Sequence, residues 1–375
     1  MMRYAHITGW GMAVPERVLT NHEISQFIDT NADWILSHTG ICERRIAADD
    51  ETTATLATDA AVKALNVARL KPADLELIIV STSSPEHLFP ATACLVQDQL
   101  GAYKAGAFDL SAACSGFIFA LNMAAQAVRT GSVSNALVIG SETLSRMINW
   151  NDRNTCILFG DGAGAFVLQA SDVPGGVLAS VMRSDGSGGD LLSVPAGGSR
   201  LPTSLDTLRD GLHFIQMNGR EVFRFATRVM AQASQEAVEL AQLKMDDIQL
   251  IVPHQANRRI IEAAARGLDV SMDRIAINIE QYGNTSTASI PIATCEAIEQ
   301  GRLNLGDNVV FVGFGAGLTW GASVVQWSEP FPSRPVMLPI RYRWLARFRS
   351  LLMRLTRHIE GMIWGREANG KHHRK

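Results

Sequence analysis

The sequence Asp109-Leu-Ser-Ala-Ala-Cys-Ser-Gly-Phe117 places a cysteine between a short apolar segment and a long apolar helix. Residues 105–108 predict a short buried strand, and residues 118–125, apolar on almost every side, predict a buried helix. The unpaired N–H groups at the start of such a helix favour an anion, so we expect the pKa of the Cys114 thiol to fall. Cys114 is a candidate nucleophile; the alternative is a buried cysteine that only packs.

The composition is that of a globular chain with a large interior. The 375 residues are 47% hydrophobic and 19% charged, and the net charge of −3 gives no reason to expect a nucleic-acid partner. The five cysteines are scattered without a CxxC pair, so we expect neither a disulfide framework nor a metal site. Because the sequence shows no signal peptide and no apolar run of about 18 residues, we expect a protein of the reducing cytoplasm.

Three pairs of segments resemble each other in the same order along the chain. Residues 70–80 resemble 243–252, and residues 159–168 resemble 314–325. Between them, Cys114 and Asn284 are each followed 17 residues later by a glycine and then a strand. The sequence therefore predicts a duplicated α/β unit, with halves at 1–172 and 173–328. If the halves pack about a pseudo-twofold axis, Cys114 and Asn284 lie at equivalent helix starts.

Two further polar residues follow predicted strands. His254 lies in Pro253-His-Gln-Ala-Asn257, at the carboxyl end of a strand, where α/β enzymes place catalytic groups. Asn284 lies at another strand-to-helix turn. Taken singly, the histidine can be a satisfied polar group and the asparagine a helix cap. Taken together with Cys114, they indicate a Cys/His/Asn site.

Two chemistries use these residue types. In a cysteine peptidase of the papain kind, histidine is the base and asparagine orients it. In a thioester condensing enzyme, the cysteine holds an acyl group while histidine and asparagine donate hydrogen bonds to an enolate oxygen. The peptidase signature Cys-Gly-Ser-Cys-Trp is absent, which favours the condensing enzyme.

Four motifs together resemble the 3-oxoacyl-[acyl-carrier-protein] synthase III family of the thiolase-like superfamily. They are the segments 109–117, 253–257, 283–286 and 314–321, and the resemblance runs from about residue 4 to residue 328. It implies an α/β fold of duplicated five-layer α-β-α-β-α type. It also implies that Cys114 is acylated by an acyl-CoA, and that the acyl group then condenses with malonyl-acyl carrier protein as CO₂ leaves, the step that initiates fatty-acid synthesis. No cofactor beyond these substrates is implied.

The same resemblance assigns roles to individual residues. The enolate oxygen is held by His254 and Asn284, and the acyl oxyanion by the backbone N–H groups of Cys114 and Ala316. A homodimer is implied, in which the Phe89 side chain of one subunit extends into the acyl pocket of the other. The residues expected to bind substrate and CoA are Trp34, Thr39, Arg153, Gly219, Phe223, Ala256 and Asn257. Those expected to dock the acyl carrier protein are Arg224, Arg258 and Arg259.

Two positions depart from the family pattern. His38 occupies the position at which the family usually has an arginine that binds a CoA phosphate. This substitution predicts weaker CoA binding or an acyl donor other than free CoA. Asn218, beside Gly219, stands where the family more often has a smaller residue, so the sequence does not determine the shape of the pocket. Two alternatives therefore remain: a specialised-metabolism acyltransferase or ketosynthase of the same family with a different donor or acceptor, and a cysteine thioester hydrolase.

Residues 329–375 continue beyond the resemblance. A proline-rich linker at 330–335 precedes a predicted amphipathic helix within 341–366, and the basic end at 370–375 is expected to be disordered. The apolar residues at helical spacing are Leu345, Phe348, Leu352, Leu355, Ile359 and Ile363, and Arg343, Arg347, Arg354 and Arg357 fall mostly on the other face. Such a basic helix can lie on an anionic membrane, dock a partner, or cover an apolar groove of its own dimer.

Overall fold

The computed structural model describes residues 3–327 and 341–364. The strands of these residues are β1 (Tyr4–Ala13), β2 (Val18–Thr20), β3 (Glu43–Arg45), β4 (Leu77–Ser81), β5 (Gly106–Leu110), β6 (Asn135–Glu142), β7 (Gly162–Ser171), β8 (Gly176–Ser184), β9 (Leu192–Ser193), β10 (Gln216–Met217), β11 (Leu250–Pro253), β12 (Asn308–Gly315) and β13 (Thr319–Gln326). The helices are α1 (Asn21–Ile24), α2 (Ala32–Thr39), α3 (Thr53–Ala68), α4 (Thr92–Leu100), α5 (Gly116–Arg129), α6 (Arg153–Cys156), α7 (Leu205–Arg209), α8 (Gly219–Leu240), α9 (Arg258–Leu268), α10 (Ile279–Tyr282), α11 (Ser289–Glu299) and α12 (Arg341–Trp364).

The two large sheets have the same internal order. The first sheet runs β1-β7-β6-β4-β5 and the second runs β8-β13-β12-β11. In the first sheet β4 pairs in parallel with β6, and the pairs β6–β7 and β7–β1 are antiparallel. In the second sheet β11 pairs in parallel with β12, and the pairs β12–β13 and β13–β8 are antiparallel. The starts of β4 and β11, and of β6 and β12, are each 173 residues apart. The described residues therefore contain the same folding unit twice, and the boundary between residues 172 and 173 stays a prediction.

Helices form three layers around these sheets. Helices α3 and α4 pack on the first sheet, and α8 and α9 pack on the second. Helices α5 and α11 lie between the sheets and contact both. A helix that contacts a sheet on each side must be apolar around most of its circumference, as the sequence of α5 is. This five-layer α-β-α-β-α arrangement confirms the predicted fold class.

The strand that precedes Cys114 was predicted to be buried, and this prediction is wrong for the single chain. Strand β5 is the edge of the first sheet, and no described strand lies on its other side. Gly106 is exposed and Phe108 retains 43% of its accessible surface. The apolar sequence of β5 is therefore that of an uncovered edge strand.

The predicted equivalence of Cys114 and Asn284 is also wrong, by three residues. A 3₁₀ turn at Ala113–Ser115 precedes α5, and another at Ser286–Ala288 precedes α11, and the first residue of each turn has a φ of 47°. The second residues of the two turns, Cys114 and Thr287, are therefore the structural equivalents. The equal 17-residue spacings arise because α11 has 11 residues whereas α5 has 14.

Helix α12 forms the predicted amphipathic extension over 24 residues and contacts α4. The predicted linker at 330–335 and the basic end at 370–375 lie outside the described residues. Within residues 3–327 and 341–364, no helix is long and apolar enough to cross a membrane.

Candidate active site

Cys114 lies where two cavities meet. The larger cavity, of about 810 Å³, is also lined by His254 and Asn284, so the three residues predicted from sequence share one space. The smaller cavity, of about 230 Å³, is also lined by Ala316. Its apolar walls come from Leu144, Met147, Phe159, Leu192, Val194 and Ile215. The thiol can therefore be reached from the larger cavity while a short apolar group occupies the smaller one.

The surroundings of Cys114 are dry. Its residue surface is only 8% exposed, and burial raises the pKa of the thiol to about 12. The prediction of a lowered thiol pKa is therefore wrong: removal of the thiolate from water outweighs the effect of the helix start two residues later. Gly315, at the end of β12, approaches so closely that a Cβ there would lie 2.6 Å from the Cys114 nitrogen. Only glycine allows this contact between β12 and the cysteine turn.

His254 is held by a neighbour that the sequence did not single out. The residue follows β11, and its Nδ1 lies 2.7 Å from the Ser289 hydroxyl, at the start of α11. That hydroxyl accepts a hydrogen bond from the Gln255 N–H at 3.4 Å, so we assign its own hydrogen to Nδ1. The Nε2 atom then carries the ring hydrogen. Burial lowers the pKa of His254 to about 3, so the imidazole is neutral and donates from Nε2.

Asn284 has its carbonyl oxygen committed and its amide nitrogen available. The Oδ1 atom accepts a hydrogen bond from the Ser286 N–H at 2.8 Å. The backbone is fixed by the Asn284 N–H, which donates to the Leu158 carbonyl, and by the Gly160 N–H, which donates to the Asn284 carbonyl. Because Oδ1 faces the turn before α11, the Nδ2 hydrogens are the donors that this side chain offers to the larger cavity.

A buried carboxyl group, Glu142 at the end of β6, ties together the loops around the cysteine. It accepts hydrogen bonds from the backbone N–H groups of Ser83 and Ser84 and from the hydroxyls of Thr82, Ser84 and Thr287. Burial raises the pKa of Glu142, and the hydrogen bonds oppose that shift. Thr287 belongs to the turn between Asn284 and Ser289, so Glu142 links this turn to the loop after β4. Sequence reasoning missed this residue, because a single glutamate at a strand end carries no signal of burial.

Six of the predicted substrate-binding residues line the larger cavity: Trp34, Thr39, Gly219, Phe223, Ala256 and Asn257. The polar groups of two of them already have intramolecular partners. The Thr39 hydroxyl donates to the Ile35 carbonyl at 2.6 Å, and the Asn257 amide donates to the His38 carbonyl at 3.0 Å. Both residues therefore shape the mouth of the cavity by holding α2 and the start of α9 in place.

Two residues expected to bind CoA, Trp34 and Arg153, contact each other in this structure. The Arg153 guanidinium lies over the Trp34 ring, 4.9 Å from its centre, and the His38 ring stacks on Trp34 at 4.3 Å. An adenine would have to separate Arg153 from Trp34 to lie between them. Phe89 lines neither cavity and is 86% exposed, so within the single chain it has no role in an acyl pocket.

The predicted carrier-protein patch is partly neutralised. Arg224 pairs with Glu221, and Arg258 pairs with Glu262 and Glu280 at 3.1 and 3.6 Å. Arg259 instead lies over the Phe223 ring at 5.6 Å. A second exposed basic stripe, which shares Arg224 with the predicted patch, is formed on α8 by Arg220, Arg224 and Arg228. The four-residue spacing of these arginines is visible in the sequence, but the position of Arg220 at the larger cavity is not.

A cysteine, a neutral histidine donor and an asparagine amide around one cavity, on a duplicated α/β fold, define an acyl-transferring ketosynthase. Two family models match the chain: 3-oxoacyl-[acyl-carrier-protein (ACP)] synthase III over residues 108–186, and its C-terminal part over residues 238–327. The chain is 51% identical over 328 residues to the β-ketoacyl-[acyl-carrier-protein] synthase III of Roseiflexus sp. (strain RS-1), covering 88% of this chain and 100% of that protein. It therefore belongs to the 3-oxoacyl-[acyl-carrier-protein] synthase III family.

Solved structures agree with this assignment. The crystal structure of 3-oxoacyl-[acyl-carrier-protein] synthase III from Aquifex aeolicus VF5 matches with a TM-score of 0.81 and 45% identity, covering 86% of this chain and all of that one. The priming β-ketosynthase of the R1128 polyketide pathway matches with a TM-score of 0.82 and 36% identity, covering 88% of this chain and 98% of that one. The match to the family's C-terminal model ends at residue 327, so residues 328–375 lie outside it.

Proposed function

We propose that this enzyme joins a Cys114-bound acyl group to malonyl-acyl carrier protein, with loss of CO₂, to give 3-oxoacyl-acyl carrier protein in the initiation of fatty-acid synthesis. The observation that supports this most is the position of Cys114 between a small apolar cavity and a larger cavity that contains two neutral hydrogen-bond donors, His254 and Asn284. The reaction uses acyl-CoA and the carrier-bound malonyl group as substrates and needs no further cofactor.

In the first half-reaction, the Cys114 sulfur attacks the carbonyl carbon of the acyl-CoA. A sulfur–carbon bond forms, the bond to the CoA sulfur breaks, and the cysteine proton leaves with the CoA thiol. The acyl chain lies in the cavity of about 230 Å³, whose size suits a short chain. The backbone N–H groups of Cys114 and Ala316 hold the oxyanion, and each such donor contributes on the order of 10²–10³ in rate.

In the second half-reaction, the malonyl group lies in the larger cavity. Its carboxylate leaves as CO₂, and the electrons of the broken carbon–carbon bond form an enolate. The neutral His254, through its Nε2–H, and the Asn284 amide donate to the enolate oxygen, a task that requires pre-oriented donors. The enolate carbon then attacks the Cys114 thioester, and the cysteine sulfur departs and is reprotonated.

We further propose that the enzyme is a cytoplasmic homodimer that receives acyl carrier protein at Arg224, Arg258 and Arg259, a patch that Arg220 and Arg228 extend along α8. The uncovered edge of β5 and the 86% exposed Leu88 and Phe89 support the dimer, because a second copy of the chain could pair with that edge and cover both side chains.

A second candidate function is a specialised-metabolism acyltransferase of the same family whose acyl donor is not free CoA. The observation that favours it is the closed Trp34–Arg153 stack, together with His38 in place of a phosphate-binding arginine. A carrier-bound donor has no adenine and would leave this stack undisturbed.

In the test, the purified enzyme is incubated with malonyl-acyl carrier protein and one acyl donor, either acyl-CoA or acyl-acyl carrier protein. The mass of the carrier protein is then measured by mass spectrometry. We expect the mass of the 3-oxoacyl product with acyl-CoA. Product from the carrier-bound donor alone would favour the second candidate. Release of free acid from either donor, without condensation, would refute both and indicate a thioester hydrolase.

A further inference from the structure

Helix α12 contacts the body of the enzyme through its polar face. The Ser350 hydroxyl donates to Asp98 at 2.7 Å, and the Arg354 guanidinium lies 3.5 Å from the same carboxylate. Arg349 lies over the Tyr103 ring, 3.9 Å from its centre, and Ala346 is 6% exposed against α4. These contacts fix the rotation of the helix about its own axis relative to the body.

The opposite face of α12 is apolar and points away from the body. Its residues recur at spacings of three and four, which places them on one side of a helix. Each of them keeps between 42% and 67% of its surface accessible. They are Trp344, Leu345, Phe348, Leu351, Leu352, Leu355, Ile359 and Met362. A continuous exposed strip of eight large apolar side chains is typical of an interaction site.

The charge of this segment is opposite to that of the rest of the enzyme. Residues 341–364 contain six arginines and one glutamate, and residues 329–375 carry a net charge of +8. Residues 1–328 carry 23 lysines and arginines against 34 aspartates and glutamates, a net charge of −11. Arg347 is exposed and is four residues from Leu351, so a positive group borders the apolar strip. Whatever covers this strip must accept apolar side chains and positive charge together.

We propose that α12 binds the surface of an anionic lipid bilayer, with its apolar strip among the headgroups and upper acyl chains and its arginines beside the lipid phosphates. Charge complementarity favours this occupant over a second copy of the chain. A second α12 packed on the first would bring two arginine-rich helices together, whereas anionic lipid attracts each of them. The body, at −11, is repelled by such a surface, so α12 is the element that holds the enzyme there.

The experiment is flotation of the full-length enzyme with vesicles of phosphatidylcholine alone and with vesicles containing one third phosphatidylglycerol, at low and at 0.5 M salt. We expect binding to the anionic vesicles at low salt and at least a tenfold weaker partition for Leu351→Ser. Arg347→Gln should weaken it about fivefold, and high salt should weaken it further. The matched control is Leu305→Ser, a change at a 55% exposed leucine outside α12, which should bind as the wild type does.

Three outcomes would overturn the proposal. The wild type could remain unbound to anionic vesicles at low salt, or Leu351→Ser could bind as tightly as Leu305→Ser does. In the third outcome, light scattering without vesicles would show that Leu351→Ser lowers the oligomeric state, which would assign the strip to a second copy of the chain. Condensing activity in detergent-free buffer, equal in all variants, verifies that each variant is folded.

Discussion

Removal of the Ser289 hydroxyl tests whether the orientation of His254 is what makes the second half-reaction work. The hydroxyl is the Nδ1 partner of a histidine that is only 1% exposed, at 2.7 Å. In Ser289→Ala, Nδ1 loses that partner in a dry site, and the ring can rotate or carry its hydrogen on Nδ1 instead. Either change removes the Nε2–H that the enolate needs.

The size of the effect follows from the cost of a buried unpaired polar group. That cost is about 1–3 kcal/mol, which corresponds to roughly a 5- to 150-fold lower rate at 1.36 kcal/mol per tenfold. The loss should fall on decarboxylation of malonyl-acyl carrier protein, measured as CO₂ release. Acylation of Cys114 by acyl-CoA, measured as burst release of CoA, should change less than twofold, since His254 is not placed in that step.

A suitable control is Ser234→Ala, which removes another fully buried hydroxyl, one that donates to the Met230 carbonyl within α8. It should leave both half-reactions at the wild-type rate. Equal losses in acylation and decarboxylation for Ser289→Ala would show that His254 acts in both half-reactions and identify it as a base for Cys114. An unchanged decarboxylation rate would show that Ser289 does not position the imidazole.

Three further predictions concern the thiol, the oxyanion site and the dimer. A pKa of about 12 leaves the Cys114 thiol neutral below that pH, and the thiolate is the form that reacts with iodoacetamide. The labelling rate, followed by peptide mass spectrometry, should therefore rise about tenfold per pH unit from pH 7 to pH 10. A rate that is already constant near pH 7 would contradict this. Gly315→Ala should slow acylation of Cys114 at least tenfold, because the added Cβ would lie 2.6 Å from the Cys114 nitrogen. The control Gly186→Ala has open space around its Cβ and should acylate at the wild-type rate. Equal acylation rates in the two variants would argue against the close approach of Gly315 to Cys114. Phe108→Lys should abolish the proposed dimer and give the mass of a monomer in light scattering, and an unchanged mass would exclude the β5 edge as the interface.

The repeat, and the position of Cys114, His254 and Asn284 around one cavity, could be predicted because each leaves a local mark in the sequence. The apolar strands β4 and β11 begin 173 residues apart, and Cys114 and His254 each follow a recognisable strand. The predicted strand before Asn284 is wrong, because helix α10 precedes that residue. The identical 17-residue spacing from Cys114 and from Asn284 to the next glycine was nevertheless misleading. Helix α5 is three residues longer than α11, and the sequence alone does not show this difference.

What could not be predicted depends on contacts between distant segments. The thiol pKa follows from burial by β12 and the loops around Cys114, not from the helix start alone. Ser289 looks like one of several polar residues at a helix start, and only the fold brings it to His254. The outward apolar strip of α12 was equally hidden, because the helical pattern shows two faces but not which of them meets Asp98.

The most direct test of the account is intact-protein mass spectrometry of the wild type and Cys114→Ala after mixing with a panel of acyl-CoAs, followed by a chase with malonyl-acyl carrier protein. We expect an acyl adduct on the wild type alone, strongest for short chains, that disappears in the chase as 3-oxoacyl carrier protein forms. An adduct of equal size on Cys114→Ala, or one that persists through the chase, would contradict the proposed condensation at Cys114.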